Sequence, residues 1–348
     1  MLKRIKNSLL ACIAVVFALS LTPVESVSAA NPAYGTCQRV EQKVALNQGG
    51  TKNQTVVGQF CTPTTWASGP HQVDVLMHGG SYNKTYWDWP QQPELYSYVD
   101  KTLQAGRATF AYDRLGSGES SKPSGLALTI QSHAFVLHSV IQSIRAQGFP
   151  EVNVISHSFG SIIAIEMAGT YQNDASRVML SGLLHAPGVG LGLPSVSASF
   201  YPAALDPQFS GKITDLTYLT TRPGTRGSSF YGSSADPNVI AYDEAHKDLF
   251  TTGELTSAVV GVDLLPGLNK SSFITAPTLV VMGEQDGLFC GLLVNCSSSS
   301  NIRANEAPYY ASAKSLDAIA VLNTGHNVAL HPSANTSFSA INEWMTTH

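Results

Sequence analysis

Charged residues are scarce in this chain. Only 13% of its 348 residues are Asp, Glu, Lys or Arg, and the formal net charge is −4. Binding to nucleic acid or to an anionic membrane face requires basic clusters, so the composition argues against both partners. No apolar run after residue 30 is long enough to cross a bilayer, and no internal repeat occurs. We therefore expect no nucleic-acid partner and no stable membrane insertion.

Motifs for a bound cofactor are also missing. The sequence contains no CxxC pair and no motif typical of a flavin, nicotinamide or metal site. A metal held by cysteines is an alternative that the missing CxxC spacing disfavours. We therefore predict a protein that works without cofactor or metal.

The first 30 residues have the pattern of a signal peptide. Basic residues precede an apolar run at 9–21, and the small residues at 27–30 form a cleavage site. We expect the mature chain to begin near Ala30 or Asn31 and to be secreted or periplasmic. An uncleaved N-terminal anchor is the alternative.

The cysteines agree with export. After removal of the signal peptide four remain, an even number that suggests two disulfides in an oxidising compartment. Three pairings are possible. The most economical joins Cys37 to Cys61, between two N-terminal strands, and Cys290 to Cys296, around a short loop.

Strand and helix patterns alternate along the mature chain, which predicts an α/β fold with a mostly parallel sheet and right-handed crossovers. The predicted strands are 40–46, 54–60, 73–77, 107–112, 152–155, 177–184, 318–322 and one that begins at 277. The predicted helices are 94–104, 129–147, 304–312 and 337–345.

The alternation stops between residues 187 and 272. This stretch is rich in Gly, Pro, Ser and Thr but also holds scattered aromatic residues, which argue against a disordered linker. We predict a cap or lid with short helices at 238–250 and 254–261. The core would then comprise residues 31–186 and 273–348.

The most informative stretch is Ser156-His157-Ser158-Phe159-Gly160, between a buried strand and a helical pattern. A serine on such a tight turn is lifted from the sheet with its hydroxyl exposed, as in the G-x-S-x-G nucleophile elbow. Here Ser156 replaces the first glycine. A plain turn serine is the alternative reading of Ser158.

Other suspicious loops also follow predicted strands, where the chemistry of parallel sheets collects. They are residues 78–81, 113–120, Asp286 and His326, and the last two follow Ser158 in the order Ser, Asp, His.

Together these segments resemble the α/β-hydrolase superfamily over nearly the whole mature length. The matching pieces are His78-Gly79-Gly80, Asp113-Arg114-Leu115-Gly116-Ser117-Gly118-Glu119-Ser120, the elbow, Gly283-Glu284-Gln285-Asp286 and Gly325-His326. The resemblance implies the α/β-hydrolase fold, with a mostly parallel central sheet flanked by helices and a cap insertion.

The resemblance implies that Ser158, Asp286 and His326 form a catalytic triad, in which each residue would have a distinct role. Ser158 attacks a carbonyl carbon, and His326 acts as its base because a serine hydroxyl is a poor nucleophile at neutral pH. Asp286 orients the imidazole and stabilises its charged form.

Other residues compete for these roles. Asp263 is the rival acid, and His78 and His331 are the rival bases. We expect His331 to lie at the surface, His78 to shape its loop, and Asp113 to brace a turn.

The oxyanion of a tetrahedral intermediate needs preorganised donors. The N–H of Phe159, at the start of a helix, is one. The family resemblance implies that the second follows the His-Gly pair, at Gly80 or Ser81. Nearby aromatic residues either line the pocket or pack in the core, namely Tyr82, Trp87 and Trp89.

The leading prediction is a secreted serine hydrolase that cleaves a carboxylic ester or a lactone. The serine argues against epoxide hydrolases and dehalogenases, which carry an aspartate at the elbow. Amidases, peptidases, perhydrolases and C–C hydrolases use the same triad and stay open. So do a catalytically silent binding protein and an interfacial lipase.

Overall fold

The computed structural model of the protein describes residues 33–185, 198–262, 266–291 and 294–348. The predicted signal peptide lies outside the described residues, as do residues 187–197 of the predicted cap and the rival acid Asp263.

Eight strands of the described residues form one central sheet. They are β1 (Gly35–Val44), β2 (Gln54–Pro63), β3 (Gln72–Met77), β4 (Ala108–Asp113), β5 (Glu151–His157), β6 (Val178–Ser181), β10 (Thr278–Gly283) and β11 (Leu316–Val321). Their spatial order is β1-β2-β4-β3-β5-β6-β10-β11. The pairs β1–β2 and β2–β4 are antiparallel and the other pairs are parallel. The predicted mostly parallel sheet is thus confirmed.

The first hairpin is longer than predicted, because β1 begins at Gly35 rather than at residue 40. Cys37 and Cys61 stand directly opposite each other in its register and form a disulfide. Cys290 pairs with Cys296 in the loop after β10. These are the pairings that the sequence analysis considered the most economical.

Helices cover both faces of the sheet. Those of the core are α1 (Pro93–Tyr96), α2 (Tyr98–Gln104), α3 (Ile130–Ala146), α4 (Phe159–Thr170), α8 (Ser299–Glu306) and α9 (Ala334–Thr347). Thr129 begins α3 with a capping box that it shares with Ser132. No helix in the described parts of the chain is long and apolar enough to cross a membrane.

Two helix predictions were wrong in detail. The helix predicted over 94–104 is broken at Ser97, because the Ser97 side chain caps α2 at the Asp100 N–H (3.0 Å) and donates to Asp88 (2.7 Å). The helix predicted over 304–312 instead begins at Ser299, where Ser298 caps it, and ends at Glu306.

The chain between β6 and β10 carries its own small elements, and we call residues 198–262 the insert. It contains α5 (Arg226–Phe230), α6 (Pro237–Ala245) and α7 (Thr252–Val262). Its strands β7 (Phe200–Pro202), β8 (Tyr218–Thr221) and β9 (Phe250–Thr251) pair as an antiparallel sheet in the order β7-β8-β9. The predicted helices at 238–250 and 254–261 correspond to α6, which is shorter, and to α7.

The core lies on both faces of the central strands. Every residue of β4 and β10 is buried, as is every residue of β5 after Glu151. This burial explains why these strands are continuous apolar runs rather than alternating patterns.

Candidate active site

Ser158 occupies the turn between β5 and α4. Its backbone has φ 54° and ψ −122°, a strained conformation for a residue with a side chain. Its N–H donates to the Ser181 carbonyl (2.7 Å), and its carbonyl accepts from the Ser161 N–H (2.8 Å). The predicted strand, sharp turn and helix are confirmed, with Ser158 at the tip.

Ser158, His326 and Asp286 meet although they are far apart in the sequence. His326 Nε2 lies 2.8 Å from Ser158 Oγ, and His326 Nδ1 lies 2.9 Å from Asp286 Oδ2. Asp286 and His326 are buried, whereas Ser158 is partly exposed. An imidazole held in this way can take a proton from the hydroxyl on one side while the carboxylate stabilises it on the other.

The loops that carry Asp286 and His326 touch at two glycines. A Cβ added at Gly283 would lie only 2.1 Å from the Gly325 carbonyl oxygen, so neither loop could approach the other with a larger residue there. The other carboxylate oxygen of Asp286, Oδ1, accepts the Leu288 N–H (2.9 Å). The carboxylate is therefore oriented on both oxygens.

Ser156, which replaces the usual first glycine of the elbow, has a place in a buried hydroxyl cluster. Its Oγ donates to the Met179 carbonyl (2.8 Å) and lies 3.2 Å from Ser161 Oγ. Ser161 Oγ then donates to the Ser181 carbonyl (3.0 Å), and Ser181 Oγ donates to the Ser156 carbonyl (3.0 Å). The Ser156 side chain, which departs from the motif, thus helps to link β5, α4 and β6.

His157 packs beside the candidate base rather than replacing it. Its ring stacks on Tyr86 at 4.5 Å, and its Nδ1 lies 3.1 Å from Ser181 Oγ. Burial, and then the neighbouring His326, lower the pKa of His157 well below its ordinary value. It therefore stays neutral and packs beside His326.

Gly182 makes room for both imidazoles, a role that the sequence analysis missed. Its φ is +61°, and an added Cβ would lie 2.8 Å from His157 Cε1 and 3.1 Å from His326 Cε1. The available signal was a glycine inside the strand predicted over 177–184, because a glycine in a strand pattern often marks a close approach of other groups.

The loop at residues 78–81, the oxyanion loop of the resemblance, is organised by His78. The His78 Nε2 accepts the Arg114 N–H (3.1 Å) and lies 3.2 Å from Ser117 Oγ, while Nδ1 lies 2.9 Å from the Gly79 carbonyl. Burial, and then the Arg114 guanidinium, lower the pKa of His78 well below its ordinary value. Both ring nitrogens of His78 have partners within this loop or the next, so His78 is not available as a base. It shapes the loop, as expected.

Two carbonyls of this loop, those of Gly79 and Ser81, accept hydrogen bonds from other parts of the fold. Arg114 Nη2 donates to the Gly79 carbonyl (3.1 Å), and the same guanidinium pairs with Glu254 of α7. The Ser81 carbonyl accepts the Asp248 N–H (2.9 Å). The loop is thus fixed from the core and from the insert together.

Asp113 braces its turn, as predicted. Its carboxylate accepts the backbone N–H groups of Lys84 (2.8 Å) and Glu119 (2.9 Å), and the Lys84 ammonium bonds to it at 2.9 Å.

The surface position predicted for His331 was wrong. The residue is fully buried, and its Nε2 accepts the N–H groups of Gly232 (2.9 Å) and Gly325 (3.1 Å). The following Pro332 suggested an exposed turn, but the insert covers this loop. His331 therefore links the insert to the loop of His326.

Four phenylalanine rings lie near His326 or near the loop at residues 78–81. Phe159 and Phe250 contact edge to face at 5.0 Å, and a Cβ added at Gly80 would lie 3.0 Å from the Phe250 ring. The rings of Phe230 and Phe289 lie 5.8 and 6.2 Å from the His326 ring. Phe230 and Phe250 belong to the insert, whereas Phe159 and Phe289 do not, so both parts of the chain supply aromatic rings near His326 and Gly80.

The three aromatic residues singled out from the sequence are buried. Trp87 and Trp89 are each 2% exposed, and Tyr82 is 5% exposed. Trp89 contacts Tyr242 of α6. Trp87 packs between Tyr86 and Tyr98. Core packing therefore describes Trp87, whereas Trp89 and Tyr82 contact the insert.

A cavity of about 500 Å³ lies between the insert and the core loops, and neither Ser158 nor His326 lines it. Its polar lining includes Asn83, Lys122, Lys212 and Asp248. In the described residues, no three His, Cys, Asp or Glu side chains are grouped in a way that could hold a metal ion.

The family follows from comparison with known proteins. The model of the Alpha/beta hydrolase family matches residues 75–336, which is most of the chain. This protein therefore belongs to the α/β hydrolase family.

Curated relatives match over shorter stretches. The Mesoderm-specific transcript protein of Mus musculus is 29% identical over 116 residues, 33% of this chain and 32% of that protein. The Probable lysophospholipase BODYGUARD 5 of Arabidopsis thaliana is 24% identical over 112 residues, 32% of this chain and 24% of that protein. The match spans a third or less of each relative.

Solved structures of esterases and lipases resemble the whole fold. A thermophilic esterase from Thermogutta terrifontis is 17% identical with a TM-score of 0.57, covering 89% of this chain and 98% of that chain. A soluble variant of monoglyceride lipase from Saccharomyces cerevisiae is 15% identical with a TM-score of 0.58, covering 88% and 96%. The enol-lactonase from Burkholderia xenovorans LB400 is 15% identical with a TM-score of 0.54, covering 84% and 97%. At these identities the likeness establishes the α/β-hydrolase fold.

Proposed function

We propose that the protein is a secreted serine hydrolase that cleaves a carboxylic ester, or a lactone, through an acyl-enzyme. The single observation that carries this proposal is the position of the His326 imidazole, 2.8 Å from Ser158 Oγ and 2.9 Å from Asp286. The resemblance of the fold to esterases, a monoglyceride lipase and an enol-lactonase supports an ester-type bond.

The proposed reaction has two halves. His326 accepts the Ser158 proton as Oγ attacks the carbonyl carbon, and it then returns the proton to the leaving alkoxide. The acyl group stays on Ser158. Water then attacks the acyl carbon while His326 takes its proton, and His326 returns that proton to Ser158 Oγ as the bond between Oγ and the acyl carbon breaks and the acid leaves. Asp286 stabilises the imidazolium in both halves.

For the oxyanion, we propose the backbone N–H groups of Phe159 and Gly80. The C=O and N–H of a trans peptide point in opposite directions. The Gly79 carbonyl is held by Arg114 and by His78 Nδ1, so the Gly80 N–H is directed away from them. A Cβ at Gly79 would lie 3.1 Å from Ser158 Cβ, which supports the closeness of this peptide to the nucleophile. Ser81, the other residue considered, has its side chain bonded to Arg226.

We further propose that the predicted segment 187–272 is a cap over a small-molecule pocket. Phe230 and Phe250 of the insert lie near His326 and Gly80, which supports an apolar acyl or alcohol group in the substrate. The buried ion pairs of the insert argue against a lid that opens at an oil surface, because opening would expose and rearrange them.

Export of the protein is part of the same proposal. The N-terminal pattern predicts cleavage near Ala30 or Asn31. Two disulfides, Cys37–Cys61 and Cys290–Cys296, support an oxidising destination. Mass spectrometry of the protein from the culture medium and the cell fraction tests both points. A cell-associated chain that still carries residues 1–30 would favour the uncleaved anchor.

The experiment for the activity joins a covalent probe to a substrate panel. A fluorophosphonate should label the wild type at Ser158 and leave Ser158→Ala unlabelled, and p-nitrophenyl esters of short acids should be hydrolysed only by the wild type. A wild type that neither labels nor hydrolyses any ester, lactone or amide is a silent binding protein. Faster turnover of amides than of matched esters points to an amidase. A jump in rate above the solubility limit of long-chain esters indicates an interfacial lipase.

A further inference from the structure

The insert carries a buried arginine, Arg226, that contacts the loop at residues 78–81. Arg226 is completely buried, and it pairs in a bidentate manner with Asp243 of α6: Nε to Oδ2 and Nη2 to Oδ1, both at 2.9 Å. Its charge also lies 4.2 Å from the centre of the Tyr82 ring. This side chain is therefore held by ionic and cation–π contacts at once.

The remaining nitrogen of Arg226 reaches the oxyanion loop. Nη1 donates to Ser81 Oγ at 2.9 Å and also lies 3.4 Å from the Ser81 carbonyl. Ser81 is fully buried and has φ +59°, a left-handed conformation that a residue with a side chain adopts only when its surroundings hold it there. The contacts from Arg226 are part of what holds it.

The carboxylate partner reaches the other side of the site. Asp243 Oδ2 accepts the hydroxyls of Tyr82 (3.0 Å) and Tyr231 (2.8 Å). Burial raises the pKa of Tyr82 well above the usual range, so its phenol stays protonated and can donate. The same Tyr82 oxygen accepts from Asn327 Nδ2 (2.6 Å), and Asn327 directly follows His326.

This ion pair therefore touches both catalytic loops of the proposed mechanism. Through Ser81 it contacts the loop that offers Gly80, and through Tyr82 and Asn327 it contacts the loop that carries His326. Burying two charges adds little net stability, since their desolvation offsets their attraction. A buried pair at this junction is better explained by the geometry that it imposes than by the stability that it contributes.

We propose that Arg226 is a positioning residue, which holds the oxyanion loop in its catalytic conformation through Ser81 and is itself held by Asp243. This inference rests on the proposed hydrolase function. It makes the insert a structural part of the reaction centre rather than only a cover for the substrate. Displacing a donor of an oxyanion hole lowers kcat far more than it weakens substrate binding.

The test removes the pair as a unit, so that no unpaired charge is left behind. Arg226→Met with Asp243→Asn keeps an acceptor for the two tyrosine hydroxyls and neutralises both charges. The matched control is Arg107→Met with Asp74→Asn, a second buried pair (3.0 Å) near the amino ends of β3 and β4. Both double variants are compared with the wild type by thermal unfolding and by ester kinetics.

We expect the Arg226 double variant to fold and to lose about 100-fold in kcat with less than about a 3-fold change in KM. An alkyl boronic acid, whose tetrahedral adduct with Ser158 presents an oxygen to the same donors, should bind more weakly by about the same factor as kcat/KM falls. The control pair should change thermal stability and leave kcat within about 3-fold of the wild type.

Two results would overturn the proposal. One is a folded Arg226 double variant with wild-type kcat, and the other is an equal loss of kcat in the control pair. If the double variant does not fold, Ser81→Ala decides, because it removes only the oxygen that Nη1 contacts. An unchanged kcat in Ser81→Ala would then refute the proposal, and a loss of about 10-fold that Arg226→Lys shares would support it. A wild type that fails to hydrolyse or to label is a failure of the proposed function instead.

Discussion

The Nε2 atom of His331 accepts a hydrogen bond from the backbone N–H of Gly325, the residue before His326, at 3.1 Å. The same nitrogen accepts the Gly232 N–H of the insert at 2.9 Å. Only an unprotonated nitrogen can accept, so this junction depends on a neutral His331. The loop of the candidate base is therefore joined to the insert by a group that acid can disrupt.

We expect His331 to destabilise the fold as the pH falls. Burial lowers the pKa of His331 below its ordinary value. Between that lowered pKa and about 6.5, the unfolded chain binds a proton that the folded chain does not, so the free energy of unfolding decreases with decreasing pH. Above about pH 6.5, His331 is unprotonated in both the folded and the unfolded chain, so it adds no pH dependence to the free energy of unfolding. One such proton changes the free energy of unfolding by at most about 1.4 kcal/mol per pH unit.

Urea unfolding of the wild type and of His331→Gln between pH 7.5 and 5 measures this contribution. Glutamine keeps an acceptor without a titrating group. The stability advantage of the wild type over the variant should shrink as the pH falls. Because buried Asp88, with a pKa raised to about 6 by burial, has the opposite pH dependence in both proteins, only the difference between them is diagnostic. A difference independent of pH would contradict the prediction.

Gly182→Ala should impair activity more than its backbone strain alone explains. The added Cβ would lie 3.1 Å from His326 Cε1 and 2.8 Å from His157 Cε1, so the imidazoles must move. We expect kcat to fall at least about 10-fold, because a displacement of a catalytic group by 1 Å can cost 100-fold.

The matched control is Gly211→Ala. Gly211 also has a left-handed backbone, with φ +75°, but an added Cβ there has no neighbour within 4 Å. Both variants should lose about 1–2 kcal/mol of stability from the left-handed conformation, and only Gly182→Ala should lose activity. Equal kcat values in the two variants would exclude the steric explanation.

Restoring the usual first glycine of the elbow, by Ser156→Gly, should lower the free energy of unfolding. Ser156→Gly removes the hydroxyl that bonds to the Met179 carbonyl and to Ser161, and it adds freedom to the unfolded chain. We expect a loss of about 1–2 kcal/mol in the free energy of unfolding, with Ser156→Ala losing only the hydrogen-bond part. Activity should stay within about 3-fold, since the backbone contacts of Ser158 to Ser181 and Ser161 remain. Denaturant unfolding and ester kinetics check both parts, and a more stable glycine variant would be the opposite result.

Asp286→Asn should lower kcat by about 10³- to 10⁴-fold with little change in stability, because asparagine cannot stabilise the imidazolium or enforce its tautomer. Asp263→Asn, at the rival acid of the sequence, is the control and should retain full turnover. Steady-state kinetics on one p-nitrophenyl ester decide between them. A larger loss in the Asp263 variant would reassign the acid.

Local patterns in the sequence predicted several features that the structure bears out. The elbow around Ser158 is visible because an apolar strand, a small-residue turn and a helical pattern follow one another within 14 residues. The helix predicted over 129–147 and the brace at Asp113 also depend on local patterns. Asp286 and His326 could be proposed as triad partners because each directly follows a strand pattern. The distances that join the three residues came only with the fold.

The contacts that the sequence did not reveal join residues far apart in the chain. Arg226 and Ser81 are 145 residues apart, and Gly232 and His331 are 99 residues apart. Neither arginine nor histidine carries a local pattern that announces burial, and an isolated charge near Gly and Ser is usually exposed.

The sequence by itself determined the class of fold, the order of the strands and helices along the chain, and the turn that presents Ser158, because these depend on hydrophobic periodicity and turn chemistry over a few residues. Only the tertiary structure decided which charges are buried together, where Gly182 must lack a side chain, and how the insert meets the loop at residues 78–81. Those outcomes depend on long-range packing in three dimensions, where a desolvated arginine must find its carboxylate across the fold.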